Sequence, residues 1–199
     1  MAANICIEAA VRRRAFLGLA VQLMAAGAAG SAAVDEHLEY CDGSLSWLGG
    51  AARAAVGRAG VSANKREGDG VTPAGTFPLI SAFYRADRLP PPVSRLPLHV
   101  LSPSDAWVDD PADRNYNRLI PLPYSGHAEP MWLDDAVYDL LVVIGYNMEP
   151  VIAGAGSAIF LHIARPDFSL TAGCIAVAKD TLVGLMPRLG PGSTITIKA

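Results

Sequence analysis

Short apolar runs, broken by glycine, proline and polar pairs, recur along most of the chain. Between Leu38 and Val61 the breaks fall at Asp42-Gly43 and Gly49-Gly50, dipeptides that are common in tight hairpin turns. We therefore expect strands joined by tight turns in this part of the chain. A helix over residues 51–59 is the alternative, because this stretch is rich in alanine.

The later runs have the length and composition of strands. The predicted strands cover residues 76–84, 98–101, 119–122, 140–144, 158–163 and 175–177, and the closing stretch "GSTITI". Residues 86–130 are rich in proline and otherwise irregular, but their tryptophan and tyrosines favour an ordered segment. A turn or short helix is expected at 134–138.

One later stretch has a helical pattern. Leu182, Leu185 and Leu189 recur at a spacing that places them on one face of a helix, and Asp180 is the expected cap at its start. The pattern as a whole predicts a mainly β domain with one or two short helices.

The first 33 residues have a different composition. A triple arginine at 12–14 precedes an apolar stretch over 16–29, and small residues follow at Ser31-Ala32-Ala33. This order is typical of an export signal, and "RRAFL" resembles its twin-arginine form. An uncleaved helix or a membrane anchor is the alternative, although the apolar stretch is short for a span of about 20 residues. We expect cleavage after Ala33, which leaves one domain over 34–199 with no stable membrane span.

The charge of the chain bears on its possible partners, and its cysteines bear on a possible disulfide. The chain has 16 lysines and arginines against 19 aspartates and glutamates, which argues against a nucleic-acid partner. Cleavage would remove Cys6 and leave Cys41 and Cys174 in a compartment that favours disulfides. A bridge between these two would disable Cys174 as a nucleophile.

His162 and Cys174 are the residues with the clearest catalytic potential. His162 ends one apolar run, and Cys174 stands immediately before the next. A thiol becomes a strong nucleophile as a thiolate, and a nearby imidazole can take its proton. The backbone amides around Gly173 can stabilise an oxyanion. A cysteine in an apolar setting is also commonly a small core residue, so these residues alone leave both interpretations open.

Several motifs favour the catalytic interpretation. "GSAIFLH" followed by "TAGC" resembles the signature of the L,D-transpeptidase family (the YkuD-like domain), which has a Ser/Thr-His-Gly-Cys motif and an upstream histidine. "KREGDGVTPAGTFPL" resembles the family's "DGxTPxGxF" loop, and "YNR" and "GYN" also match. In this resemblance Cys174 takes the position of the nucleophile, Gly173 the preceding glycine, Thr171 the hydroxyl residue and His162 the histidine.

Three departures place the chain in a divergent branch of that family. Ala172 stands where many members have histidine, and Ala176 where many have arginine or asparagine. The interval between His162 and Cys174 is also short. With Gly173 and Thr171, Ala172 is still expected on the oxyanion and substrate side of the site.

The resemblance implies a fold, a reaction and a location. It implies a YkuD-like β-sandwich in the periplasm or cell envelope, acting on peptidoglycan stem peptides. Cys174 would form a thioester with a tetrapeptide stem and transfer it to an amine acceptor, giving a 3–3 cross-link without a metal or organic cofactor. It also implies that backbone carbonyl groups orient the histidine, so no carboxylate is nominated as a third member. A hydrolytic L,D-carboxypeptidase or amidase and a non-catalytic wall-binding module remain alternatives.

Other polar residues have simpler explanations. His127 lies in a loop, where a histidine is usually solvated, although it could line a cleft. The acidic residues of the irregular segment lack the spacing of an EF-hand calcium loop, and we expect capping and turn roles for Asp109, Asp110 and Asp113. Turn formation is also expected, with substrate contact as the alternative, for Lys65, Arg66, Glu67 and Asp69. His162 and Cys174 alone supply too few ligands for a zinc site.

Overall fold

Short β-strands make up most of the regular structure in a computed structural model that describes residues 35–199. The predicted export signal, residues 1–33, lies outside the described residues. The strands are β1 (His37–Cys41), β2 (Ser44–Trp47), β3 (Gly50–Ala55), β4 (Val61–Ser62), β5 (Thr72–Pro73), β6 (Gly75–Tyr84), β7 (Leu98–Val100), β8 (Asp105–Trp107), β9 (Leu119–Pro121), β10 (Glu129–Pro130), β11 (Leu140–Ile144), β12 (Phe160–Ile163), β13 (Ile175–Val177) and β14 (Thr194–Ile197). The described helices are α1 (Lys179–Leu185) and a 3-10 turn over Met186–Arg188. The prediction of a mainly β fold with one or two short helices is confirmed.

The first two hairpins form where the turn dipeptides predict them. Asp42 and Gly43 have φ values of 46° and 76°, and Gly49 has 87°, in the left-handed region that hairpin turns require. The β1–β2 turn sets a register in which Tyr40 lies opposite Leu45. The helical alternative for 51–59 is wrong, because β3 pairs with β2 on one side and with β13 on the other.

The large sheet closes on itself through β6. Its first half, Gly75–Pro78, pairs with β14, and its second half, from Leu79 to Tyr84, pairs with β11. The remaining neighbours run in the order β11, β12, β13, β3, β2, β1, β14. The enclosed space holds the larger core, to which α1 adds Leu182 and Leu185.

The position of strand β11 explains why the run "LLVVI" is apolar throughout and does not alternate between apolar and polar residues. Leu140, Val142 and Ile144 belong to the enclosed core, whereas Leu141 and Val143 pack into a second core on the other face. A strand that is buried on both faces carries apolar side chains at every position.

The second core lies between β11 and β12 and the irregular segment, which contributes the small sheet β10-β8-β9. Trp107 and Tyr138 meet the ring of Phe160 edge-on, with ring centroids 5.1 and 5.8 Å apart. Cys174 packs in this second core rather than in the larger one. The irregular segment is therefore ordered, as its aromatic residues predicted, and it encloses the region around the thiol.

Helix α1 forms at the predicted position, but the expected cap is wrong. The N-cap residue is Ala178, which makes no side-chain capping bond, and Asp180 lies inside the first turn. The chain enters the helix directly from β13, so the boundary falls before Asp180. Its carboxylate there still interacts favourably with the positive end of the helix dipole. Of the helices in residues 35–199, none has the length and apolar character needed to cross a membrane.

Candidate active site

Two adjacent parallel strands position His162 and Cys174. β12 pairs with β13 in a register that sets Leu161 beside Ile175 and His162 beside Ala176. Leu161 faces the enclosed core, so the alternation along β12 turns His162 to the opposite face. Cys174, immediately before β13, packs in the second core on that same face. Both side chains thus reach one region although they are separate in sequence.

A cleft of about 330 Å³ is lined by His162 and Cys174 and by the other predicted site residues, Thr171, Ala172 and Gly173. The charged side chains that line it are Arg58, Lys65, Glu67, Asp109, Glu129 and Arg165. The structure therefore brings all five predicted residues to one concave surface that carries charges of both signs.

The thiol of Cys174 is buried and protonated. Only 7% of Cys174 is exposed to solvent, and this burial raises the pKa of the thiol to about 12. The thiol donates a hydrogen bond to the carbonyl of Ala158 over 3.1 Å, and the amide of Phe160 donates to Sγ over 3.4 Å. Cys174 is a free cysteine, so the inactivating bridge to Cys41 is not formed.

His162 is held as a neutral imidazole. Its Nδ1 lies 2.9 Å from the carbonyl oxygen of Ile163, and because a carbonyl only accepts, we assign the proton to Nδ1 and the free electron pair to Nε2. Burial lowers the pKa of His162 to about 4. The ring of Tyr138 packs against the imidazole with centroids 5.6 Å apart. The orienting partner is a backbone carbonyl, which is the kind of group the resemblance implies.

The segment before Cys174 has a backbone conformation that favours glycine. Gly173 has a φ of 151°, and a Cβ there would lie 3.0 Å from the carbonyl oxygen of Val71. Thr171 Oγ1 donates to the Cys174 carbonyl over 2.6 Å and accepts from the Gly173 amide over 3.1 Å. Thr72 Oγ1 in turn donates to the Gly173 carbonyl over 2.8 Å. Thr171 therefore holds the Gly173 amide, so an oxyanion must displace that bond before this amide can donate to it.

The loop around Lys65 has the turn-forming contacts expected from the sequence, and two of its side chains also face the cleft. Lys65 Nζ contacts Asp69 Oδ1 over 2.7 Å, and the Asp69 carboxylate also accepts from the amides of Arg66 and Val71. Burial acts to raise the pKa of Asp69, but these donors outweigh it and the pKa is lowered. Lys65 and Glu67 also line the cleft, which puts them within reach of a bound molecule.

Several hydrogen bonds that organise the site were not predicted from the sequence. Glu67 accepts hydrogen bonds from the hydroxyl of Tyr116 and, over 2.7 Å, from that of Ser157. Asn117 bonds the amide of Ala158, next to the thiol. The stretches "YNR" and "GSAIF" signal their importance only as part of the family resemblance.

The remaining candidates have structural roles. His127 is exposed and lies 2.6 Å from Asp109, whose carboxylate raises the pKa of the imidazole, but it does not line the cleft. Asp110 accepts from a nearby backbone amide, and Asp113 accepts from Tyr124 and a backbone amide, which are the expected turn and capping roles. Within residues 35–199 there is no group of three His, Cys, Asp or Glu side chains that could hold a metal ion.

Comparison with known proteins gives a family match and distant structural matches, of which two are described. A model of the L,D-transpeptidase catalytic domain (YkuD) matches residues 37–197. The crystal structure of Mycobacterium tuberculosis L,D-transpeptidase 1 is 13% identical, with a TM-score of 0.40 over 82% of this chain and 59% of that one. An L,D-transpeptidase from Mycobacterium smegmatis is 14% identical, with a TM-score of 0.39 over 83% and 59%. This chain thus spans 59% of the length of these two proteins. A search of curated proteins found no match.

The family match rests on nearly the whole of the described part of the chain. It extends from β1 to β14, and so includes His162 in β12 and Cys174 immediately before β13. The chain therefore belongs to the family of L,D-transpeptidase (YkuD) catalytic domains.

Proposed function

We propose that this protein is a peptidoglycan L,D-transpeptidase in which Cys174 is the nucleophile and His162 is the general acid and base. The observation that carries the proposal is the placement of a free thiol and a neutral imidazole in one cleft, on the same side of adjacent parallel strands. A thiol and an unprotonated imidazole nitrogen are the two groups that acyl transfer through a thioester requires.

In the first half of the reaction Nε2 of His162 takes the thiol proton as Sγ attacks the carbonyl of the diamino acid residue in a tetrapeptide stem. The carbon–nitrogen bond to the terminal D-alanine then breaks, and His162 returns the proton to the leaving amine. With a thiol pKa of about 12 and an imidazole pKa of about 4, proton transfer before the attack is unfavourable. We therefore assign proton transfer and attack to the same step.

In the second half, a side-chain amine of another stem attacks the thioester. His162 accepts a proton from this amine and donates it to the departing thiolate, which restores the free thiol and leaves a 3–3 cross-link. Water in place of the amine would give the hydrolytic L,D-carboxypeptidase outcome with the same residues.

The charges of the cleft support a peptide substrate that carries both amino and carboxylate groups. Arg58 and Arg165 line the cleft as partners for carboxylates, and Asp109 and Glu129 as partners for amines. Arg165, Asp109 and Glu129 already bond Asp135, His127 and Tyr138, so a substrate group would share or replace those contacts. We further propose that residues 1–33 direct the protein to the periplasm or cell envelope, where peptidoglycan stems are found, and that the catalytic domain covers 34–199.

The test is incubation of tetrapeptide muropeptides with the full chain and with a chain that begins at Val34, followed by mass spectrometry. Cross-linked dimers that disappear with Cys174→Ala support the transpeptidase. Loss of D-alanine without dimers indicates the hydrolase. An unchanged mixture with a correctly folded protein contradicts both and favours the wall-binding module.

A further inference from the structure

The position of the reactive sulfur depends on the backbone of one residue, Ala158. Its carbonyl accepts the hydrogen bond from the Cys174 thiol, with 3.1 Å between Sγ and oxygen. Ala158 has a φ of 52°, a left-handed conformation that alanine adopts only when its surroundings impose it. The residues that impose this conformation therefore also determine where the thiol points.

Asn117 makes the side-chain contact that holds the backbone of Ala158, through its amide. Its Oδ1 accepts from the amide of Ala158 over 3.1 Å and from Nε1 of Trp107 over 2.9 Å. Its Nδ2 donates to the carbonyls of Tyr146 and Asn147 over 3.1 and 2.8 Å. Asn117 is only 2% exposed, so all four bonds form away from water and each fixes the orientation of the amide plane.

We propose that Asn117 is a positioning residue for the nucleophile: by binding the amide of Ala158 it holds the backbone of that residue so that the Ala158 carbonyl accepts the hydrogen bond from the Cys174 thiol and Sγ is directed into the cleft. This proposal rests on the proposed role of Cys174 and adds a residue that the reaction scheme does not contain. Asn117 does not touch the thiol itself and acts through the backbone of Ala158.

The neighbouring hydrogen bonds show why Asn117 differs from the other residues of this region. Tyr116 accepts from the amide of Gly156, and Ser157 donates to Glu67, so these contacts fix the two residues before Ala158. Neither contact bonds the backbone of Ala158, whose carbonyl meets the sulfur. Loss of the Asn117 side chain removes the bond to the Ala158 amide, together with those to Trp107, Tyr146 and Asn147, and leaves the contacts of Gly156 and Ser157 in place.

The effect on the thiol has a definite sign. A carbonyl that accepts from S–H stabilises the protonated form, so releasing it lowers the pKa of Cys174. The other titratable and charged groups that act on or face the thiol are Glu129 from β10, Tyr138 from the turn before β11, Lys65 from the cleft loop and His162 from β12. None of these four side chains is hydrogen-bonded to Asn117, so their influence is expected to remain.

The chain offers a matched pair of variants, Asn117→Gly and Asn147→Gly. Both asparagines have positive φ, 58° and 51°, which glycine adopts without strain. Asn147 also bonds the loop that leads to the nucleophile, since it contacts Ile152 through two hydrogen bonds and the Gly156 carbonyl through a third. Asn147 makes no hydrogen bond to Ala158. Removing the Asn147 side chain therefore loosens the loop but leaves the Ala158 carbonyl in place as the acceptor for the Cys174 thiol.

The experiment measures the rate at which iodoacetamide alkylates Cys174 in the full chain as a function of pH, followed by peptide mass spectrometry. For Asn117→Gly we expect the midpoint of the profile to fall by about one pH unit, the effect of losing one neutral hydrogen bond, and alkylation at neutral pH to rise about tenfold. Acyl transfer should fall roughly tenfold or more because the sulfur is misplaced. Asn147→Gly should keep the wild-type midpoint.

An unchanged midpoint in Asn117→Gly, or an equal fall in both variants, would overturn the proposal, because either result makes Asn117 an ordinary loop contact. If Asn117→Gly does not fold, Asn117→Asp replaces it. The carboxylate keeps an acceptor for the Ala158 amide, loses the donor to the carbonyls of Tyr146 and Asn147, and adds a negative charge near the sulfur, so its midpoint must not lie below that of the wild type. Alkylation requires no peptidoglycan, so this test stands even if the proposed transfer activity is absent.

Discussion

Lys65 and Asp69 form a buried ion pair at the edge of the cleft, and its removal gives a quantitative test of the structure. The Lys65 side chain is 3% exposed and that of Asp69 is 24% exposed, with Nζ and Oδ1 2.7 Å apart. Asp69→Asn removes the negative charge while keeping the shape of the side chain. The ammonium then retains the carbonyl of Arg66, at 2.8 Å, but no counter-charge.

The expected cost follows from the burial of the ammonium. Breaking a fully buried pair by removing one partner costs about 3–5 kcal/mol, because the other charge stays uncompensated. Water reaches Asp69, so we reduce this to about 2–3 kcal/mol of unfolding free energy. For a domain of this size that loss corresponds to a decrease in Tm of roughly 5–10 °C.

The assay is urea unfolding followed by tryptophan fluorescence, with Lys65→Met/Asp69→Asn as the control. The double variant also loses the carboxylate that organises the turn, but it contains no unpaired ammonium. We therefore expect it to be more stable than Asp69→Asn by about 1–2 kcal/mol. If the single variant is no less stable than the double variant, the charge of Lys65 is solvated and the reasoning from its burial is refuted.

Four further predictions concern the catalytic pair, the glycine before Cys174 and the ion pair between Glu36 and Arg188. Cys174→Ala should abolish transfer while leaving the Tm within a few degrees of the wild type, and residual transfer would exclude the thioester mechanism. His162→Ala should reduce transfer by about 100-fold or more, seen in single-turnover release of D-alanine, because no group takes the thiol proton. Gly173→Ala should lower both transfer and stability, the latter by about 1–3 kcal/mol in urea unfolding, since alanine is strained at this φ and meets a carbonyl. Burial acts to raise the pKa of Glu36, but hydrogen-bond donors that include Arg188 outweigh it, so the pKa of Glu36 is lowered in the folded protein. The ionised carboxylate therefore stabilises the fold above about pH 4.5, and this stabilisation is lost as the pH falls. Glu36→Gln should therefore be less stable than the wild type at pH 7, with a difference that shrinks as the pH falls below about 4.5, and a constant difference would contradict the assignment.

The sequence predicted those parts of the fold that depend on local patterns. Turn dipeptides located the β1–β2–β3 hairpins, and an unbroken apolar run located β11. The boundary of α1 was missed because the end of β13, and not the capping preference of Asp180, determines where the helix begins. Closure of the sheet through β6 depends on pairings between distant segments, for which a single sequence holds no periodic signal.

The candidate site also has some features that the sequence predicted and others that only the structure shows. The sequence predicted that His162 and Cys174 lie close together, and the parallel register of β12 and β13 accounts for it, because it sets Leu161 beside Ile175, the residue after Cys174. The bond between Asn117 and Ala158 and that between Glu67 and Ser157 join segments far apart in the chain. Polar residues in irregular segments have many possible partners, so only the folded structure shows which of them reach the thiol region.

The resting thiol and imidazole are both neutral, and this has a consequence for selectivity. The thiol proton is bonded to the Ala158 carbonyl and the Nδ1 proton to the Ile163 carbonyl, so no thiolate–imidazolium pair is preformed. A small neutral reagent that does not occupy the cleft reacts only with the thiolate. Because the pKa of the thiol is about 12, only a very small fraction of Cys174 is thiolate at pH 7. A peptide that fills the cleft can instead bring its carbonyl to Sγ as His162 takes the proton. Slow alkylation by iodoacetamide together with rapid acylation by a stem peptide is therefore the expected behaviour. Rapid alkylation at pH 7 would show that the thiolate exists before the substrate binds.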